Sequence, residues 1–352
     1  MDTQATIEPF RGDLENLERM AHTSWRDEYG ISSFPNFYRP AYLRYLFGRL
    51  PDKRYLHAVY RDEEILSFIA NLPRKFCFKE KIYNAVLSCI LVTRKEAVRR
   101  GLAFALVKKC IDLNKEANFD FALLTLEKGH RSTKLVKKLA EEGAPLEWVK
   151  RIRVLGRILD LARVCRSEKL KGWEKTALKL WGGHSAPRPK PGFRLEEYTS
   201  GDLDQCLSLL NAYRHTVTLS RYWDRDELGW ELEFPEVAKT LVHKKDGRVA
   251  GLISFIYHEH LGITTERWAW INHVAYPDLS GPERAAFIQA FLQYAKDVGC
   301  VGVVEWTKKY YPAGPLYKAK FFPYFRSVNM YSWTFNPEIS LKNIPDVYEV
   351  QI

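Results

Sequence analysis

The chain has 352 residues, 46% of them apolar and 14% aromatic, which is more than one small core needs and leaves no long polar tract for disorder. Its net charge of +11 attracts polyanions, whether nucleic acid, anionic lipid, the phosphates of CoA or an acidic carrier protein, and does not choose among them. The six cysteines stand singly, with no C-x-x-C pair and no histidine at ligand spacing, so neither a metal nor a disulfide framework is expected.

The opening MDTQATIEPF has neither the basic start nor the apolar run of a signal peptide, and no stretch approaches the ~20 apolar residues that cross a bilayer. A reducing, cytoplasmic setting and a monomer are expected. Residues 5–10 read as a strand, and Gly12-Asp13 opens an amphipathic helix carrying Leu14, Leu17 and Met20. RYLHAVYR and ILSFIANLP are paired strands about the turn Asp62-Glu63-Glu64. KIYNAVLSCILV is a buried strand, and residues 101–115 form a helix with Leu102, Leu106 and Ile111 on its apolar side. FDFALLTLE is a further core strand, followed by a helix over 133–142 and a strand over 148–161.

The basic run RVCRSEKLKGWEKTALKLWGG and the Pro-rich HSAPRPKPG then interrupt the pattern. From Arg163 to Trp181 the run reads as one helix, with Leu170, Trp173, Ala177 and Leu180 as an apolar stripe and Arg166, Lys169, Lys171, Lys175 and Lys179 around it. It is either a connector packed on both halves or an element that docks a membrane surface or an acidic carrier protein. Beyond it the first plan recurs: the strand FRLEEYT, the helix SGDLDQCLSLLNAY capped at Ser200, and the hairpin TLVHKKDGRVAGLISFIYHEH closed by Asp246-Gly247. RWAWINHVAY, PERAAFIQAFLQYAKDVG and VGVVEWTK follow as strand, helix and strand. The doubled order predicts a tandem repeat of an α+β unit, over residues 1–161 and 192–352, with a basic helical linker over 162–191.

In LSCILVTRKEAVRRGLAFAL a strand runs into a Gly-containing turn and then a helix, which aims free backbone N–H groups and a positive dipole end at one point and suits a diphosphate. Arg94, Lys95, Arg99 and Arg100 crowd the turn, while Gly101 and Ala103 let backbone approach an anion. Without a ligand the same residues are a solvated basic loop. VRRGLA resembles the pyrophosphate loop of the GNAT acyltransferases, written Q/R-x-x-G-x-G/A, and departs from it at Val98. The second-half turn DLSGPERAAF has a proline and an acid where donors should be, so that half is not expected to hold CoA.

A wider resemblance runs through most of the chain. FPNFYRPAYLRYLFGRL, ILSFIANLPRKF, SCILVTRKEAVRRGLAFALVKKC, DGRVAGLISFIYH and LYKAKFFPYFRSVNMYSWTF look, in order, like segments of the N-myristoyltransferase family. The resemblance implies two tandem GNAT domains, each a mixed, mostly antiparallel twisted sheet flanked by helices. It implies acyl-CoA in the first, held by Leu91, Val92, Arg94, Arg99, Arg100, Gly101, Leu102 and Ala103, and the acceptor in the second. It also places an oxyanion hole on backbone N–H groups at a strand bulge, at Cys89 and Ile90, and a general base on a terminal carboxylate at Ile352. Glu305, His258 and His273 are further base candidates or structural polar residues, and Tyr257, Asn272, His273 and Tyr311 are candidates to line the acceptor pocket. Cys89 is either a nucleophile or an inert strand thiol.

The function expected is transfer of an acyl group from acyl-CoA to a primary amine of a peptide or small molecule by direct attack on the thioester. The alternatives are a tandem acetyltransferase or aminoacyl transferase, transfer from an acyl carrier protein, and a basic nucleic-acid-binding or adaptor protein.

Overall fold

A computed structural model describes residues 5–348 except 31, 128, 130, 169, 182–184, 308 and 309. In the first half, β1 (Thr6–Pro9) leads to α1 (Leu14–Tyr29), whose Asp13 cap accepts from the Asn16 N–H. β2 (Phe34–Pro35), α2 (Pro40–Phe47), β3 (Leu56–Arg61), β4 (Glu64–Phe78), β5 (Lys81–Thr93), α3 (Leu102–Glu116), β6 (Phe121–Glu127), α4 (Arg131–Glu141) and β7 (Leu146–Ile158) follow. The connection contains α5 (Leu161–Ser167) and α6 (Gly172–Trp181). The second half comprises β8 (Glu196–Glu197), α7 (Leu203–Arg214), β9 (Leu219–Tyr222), α8 (Arg225–Leu232), β10 (Ala238–Lys245), β11 (Arg248–Leu261), β12 (Thr265–Ala275), α9 (Gly281–Asp297), β13 (Gly302–Trp306), α10 (Gly314–Lys318), β14 (Phe322–Thr334) and β15 (Val347–Tyr348).

The long path of the sheet is a palindrome of the two halves: β1-β3-β4-β5-β6-β14, then β7-β13-β12-β11-β10-β8. Five strands of each half run inward from an edge, and each half's next strand crosses over, so β14 pairs β6 of the first half and β7 pairs β13 of the second. Most pairings are antiparallel. The pairs β5–β6 and β12–β13 are parallel, each joined through the long helix between its strands. One apolar cluster spans both halves, from Leu17 and Phe68 to Trp268 and Val304, a second lies under α7 and α9, and a third lies under α3 and α4.

Several expectations need correction. The helix read from Arg163 to Trp181 is two helices, because the backbone is captured at the end of α5: the Ile263 N–H donates to the Ser167 carbonyl (2.8 Å) and Ser167 Oγ to the Thr264 carbonyl (2.8 Å). FRLEEYT pairs only at Glu196–Glu197. The cap before α7 is Thr199 rather than Ser200, since Asp202 turns back to accept from both the N–H and the hydroxyl of Thr199. Asp246 (φ 50°) and Gly247 (φ 75°) close the β10–β11 hairpin in the left-handed region, as a two-residue turn requires. None of the six cysteines is in a disulfide, and among the described residues no helix is long and apolar enough to cross a membrane.

Candidate functional site

β5 pairs β4 along nearly its whole length but pairs β6 only over Ala85–Leu87 with Phe121–Leu123. β6 stays bound to β14 on its other side. The two strands therefore splay, and Ser88–Leu91 and Leu124–Glu127 face one cavity of about 640 Å³. At the fork β5 carries one residue more than β4: Phe68 is opposite Val92, and Ala70 is opposite Cys89. The extra residue makes a bulge in which Ile90 sits at φ 57°. A β-branched residue there costs about 1–3 kcal/mol, strain that packing must hold and that clusters at functional sites.

The bulge turns backbone out of the ladder beside two buried groups. Ser88 Oγ donates to Asn71 Oδ1 at 2.6 Å, which anchors β5 to β4 just before the bulge. Tyr38 is 3% exposed, lines the cavity close to the Cys89 thiol, and its hydroxyl makes no hydrogen bond of normal geometry. Burial pushes its pKa well above the ordinary tyrosine value, so it stays a neutral donor. His260, the histidine in the cavity wall, accepts from Trp270 Nε1 (3.0 Å) rather than facing Cys89. That disfavours a Cys–His pair.

Beyond β5, Arg94 donates from Nε to the Ile65 carbonyl (3.1 Å) and pairs with Glu64 (3.2 Å), while Lys95 pairs with Asp27 on α1 (2.6 Å). Both cations thus hold the turn to its scaffold. Arg99 (φ 70°) and Gly101 (φ 79°) are left-handed on either side of Arg100, and all three are exposed. Gly101 is the N-cap of α3 and supplies no side-chain acceptor, so the first N–H groups of α3, at Leu102 and Ala103, begin the helix uncapped. Leu91 lines the cavity, whereas the side chains of Val92 and Leu102 are buried in the core.

The cavity then runs between the halves. Trp25 and Tyr29 of α1, Phe34 and Phe37, Trp268 and Trp270 of β12, Val304 and Trp306 of β13, and Trp173, Ala177, Leu178 and Trp181 of α6 form its walls. Arg157 is its buried cation, 2% exposed, donating from Nη1 to the Ile158 carbonyl (2.6 Å) and from Nη2 to the Ser185 carbonyl. Desolvation lowers its pKa to about 10, which leaves it charged.

The structure gathers Cys89, Ile90 and Leu91 at this cavity and the 99–103 turn after β5, but not the second-half candidates. Glu305 alternates with Val304 and Trp306 on β13, so it faces away from the cavity, among Tyr276, Tyr310 and Tyr311. Tyr311 shares that buried group, and Tyr257 faces Phe255 and Tyr294. Asn272, itself a bulge residue on β12, donates to Tyr45 Oη (3.5 Å). His273 bonds Glu231 through Nε2 (3.3 Å) and Tyr348 Oη through Nδ1. Although burial alone would raise Glu231, the adjacent Arg221 and His273 hold it far below the carboxylate range. His258 is enclosed by Phe37, Tyr42 and Trp270, and burial drives its pKa well below the ordinary histidine value. Ile352 lies outside the described residues. Tyr38, the Asn71–Ser88 anchor and the aromatic wall went unread in the sequence, where Tyr38 is one aromatic among several in FPNFYRPAYLRYLF.

No protein-family model matches the chain, and no curated protein matches it in sequence. Solved structures do match in fold. Saccharomyces cerevisiae N-myristoyltransferase with bound myristoyl-CoA superposes with a TM-score of 0.79 at 15% identity, over 100% of this chain and 90% of that one. GCN5-related N-acetyltransferases from Anabaena variabilis and Kribbella flavida give TM-scores of 0.56 and 0.53 at 11% and 10% identity, over 93% and 94% of this chain and 72% and 71% of theirs. The chain has the tandem GNAT architecture, close to that of N-myristoyltransferase, and the three neighbours named above are acyltransferases.

Proposed function

We propose that the protein transfers an acyl group from acyl-CoA to a primary amine, with the donor held in the first half. The observation that carries this reading is the splay of β5 from β6 at a strained bulge, opening into an apolar cavity of about 640 Å³. A thioester laid in the fork brings its carbonyl to the backbone at Cys89 and Ile90, where N–H groups turned out of the ladder stabilise the tetrahedral oxyanion. The neutral Tyr38 hydroxyl is a further donor beside it. The diphosphate rests at the 99–103 turn, on the uncapped start of α3 with Arg99 and Arg100 near it. Attack by the amine is direct: the C–N bond forms, the C–S bond breaks, and CoA leaves as the thiol.

The cavity favours a long acyl chain, because each methylene taken from water into such walls contributes about 0.8 kcal/mol. The long-chain donor named in the structure of the similar N-myristoyltransferase supports this reading. Calorimetric titration with acyl-CoAs of increasing chain length tests it. Affinity should climb with chain length. Equal affinity for acetyl-CoA and long-chain acyl-CoA, or no binding of either, overturns it.

A further inference from the structure

The cavity opens under a helix that the rest of the molecule leaves uncovered. α6, GWEKTALKLW, has no buried residue. Trp173 is 57% exposed, Leu180 83% and Trp181 51%. A fourth exposed apolar side chain, Ile263 (64%), sits on the hairpin tip whose backbone is tied to Ser167 at the end of α5. Of the stripe read as Leu170, Trp173, Ala177 and Leu180, the first three, with Leu178 and Trp181, roof the cavity, and Leu180 is left in solvent.

The same segment is cationic. Lys171, Lys175 and Lys179 recur every four residues, and no described carboxylate lies within ion-pair distance of their ammonium groups. The one acid of α6, Glu174, instead accepts from the Lys171 backbone N–H (2.6 Å). Arg166, Arg188 and Lys190, all exposed, flank the helix in sequence.

Indole rings and a leucine in water beside lysines are what a helix lying in a lipid headgroup layer presents. The patch is too small for a stable protein interface by itself. A helix of 10 residues is about 15 Å long, whereas a standard interface takes about 800 Å² from each partner. We propose that α6 is a membrane-docking surface, whose Trp173, Leu180 and Trp181 enter an anionic lipid bilayer while Lys171, Lys175 and Lys179 meet its headgroups. Docked in this way, the apolar roof of the cavity faces the acyl layer. The docking claim stands on this surface alone and does not rest on the proposed transferase reaction.

Vesicle flotation of the full chain, without acyl-CoA, tests the proposal. The protein should float with phosphatidylcholine vesicles that contain phosphatidylglycerol, with a blue shift of tryptophan emission, and should not float with pure phosphatidylcholine. Replacing Lys171, Lys175 and Lys179 together by Glu should weaken binding by ~100-fold or more, at about 5-fold for each lysine lost near an anionic surface. Replacing Trp173, Leu180 and Trp181 together by Ser should abolish both flotation and blue shift, and unchanged circular dichroism is expected because none of the six side chains is buried. Failure of the parent protein to float at low salt overturns the proposal, as does flotation that survives either triple substitution. Lysine-dependent binding of an acidic acyl carrier protein, with vesicles ignored, also overturns it.

Discussion

The two halves contain the same fork and treat it in opposite ways. In the first, β5 bulges at Ile90 and leaves β6 after Leu87, and the space between the strands is open. In the second, β12 bulges at Asn272 and its pairing with β13 ends at Trp270 and Val304, yet the space is filled. Tyr276, Tyr310 and Tyr311 pack there edge to face, the Val274 N–H donates to Tyr310 Oη (2.9 Å), and Tyr276 Oη donates to the Pro312 carbonyl (2.6 Å). The following helices differ in the same sense. α3 begins uncapped at Gly101, whereas α9 is closed by the Ser280–Glu283 capping box with Pro282 inside its first turn. Backbone topology creates a fork, and side chains decide whether it is a site or a core.

The largest effect expected from this contrast is on stability, in the second half. Glu231 neutralises the 1%-exposed Arg221 and bonds Trp223 and His273. Glu231→Gln should cost about 3 kcal/mol in denaturant unfolding, the low end for a broken buried ion pair because Glu227 still pairs with Arg221 (2.6 Å), with acyl-CoA affinity of the folded protein unchanged. A change in affinity would show that this cluster belongs to the site. Next is the attempt to make the first fork resemble the second: Cys89→Trp should fill the space beside Tyr38 and weaken acyl-CoA binding by ~100-fold, about 2.7 kcal/mol. Cys89→Ala should keep turnover, and its loss would establish a thiol nucleophile.

A smaller pair of substitutions compares the helix starts. Gly101→Ala puts a side chain at φ 79° and should cost about 1–2 kcal/mol, read as weaker CoA binding or lower stability. Gly281→Ala has open space and an ordinary backbone, and should change either by less than about 0.5 kcal/mol. Equal responses would dissolve the distinction. The most gradual effect is on pH dependence. Because the folded-state pKa of His258 lies well below its unfolded 6.5, its contribution is intact above pH 6.5. It falls below that by up to about 1.4 kcal/mol per pH unit until the folded pKa is reached. His258→Phe should flatten that part of a thermal-unfolding profile, and an unchanged profile would assign the acid sensitivity elsewhere.

Much of this arrangement was legible in the residues. Alternation and β-branched runs located the β3–β4, β10–β11 and β11–β12 strands, Asp246-Gly247 fixed a hairpin, and VRRGLA marked the turn before α3. Local pattern cannot reveal long-range pairing, so the exchange of β7 and β14 between halves was invisible. Nor can it say which face of a strand is the cavity face. Val304, Glu305 and Trp306 alternate apolar and charged in VVEWTK, but only the fold sends Val304 and Trp306 inward and Glu305 to the tyrosines behind. The break between α5 and α6 depends on a hairpin tip nearly a hundred residues away, at Ile263. Tyr38 becomes conspicuous only once the bulge and the cavity surround it.

The most direct test of the claim that one fork is a site and the other a core is amide hydrogen exchange with and without a long-chain acyl-CoA. Protection should appear at Ser88–Leu91 and across the turn from Arg99 to Ala103, and be absent from the second-half bulge at Asn272 and the start of α9. Protection at the second fork, or at neither, would contradict the account.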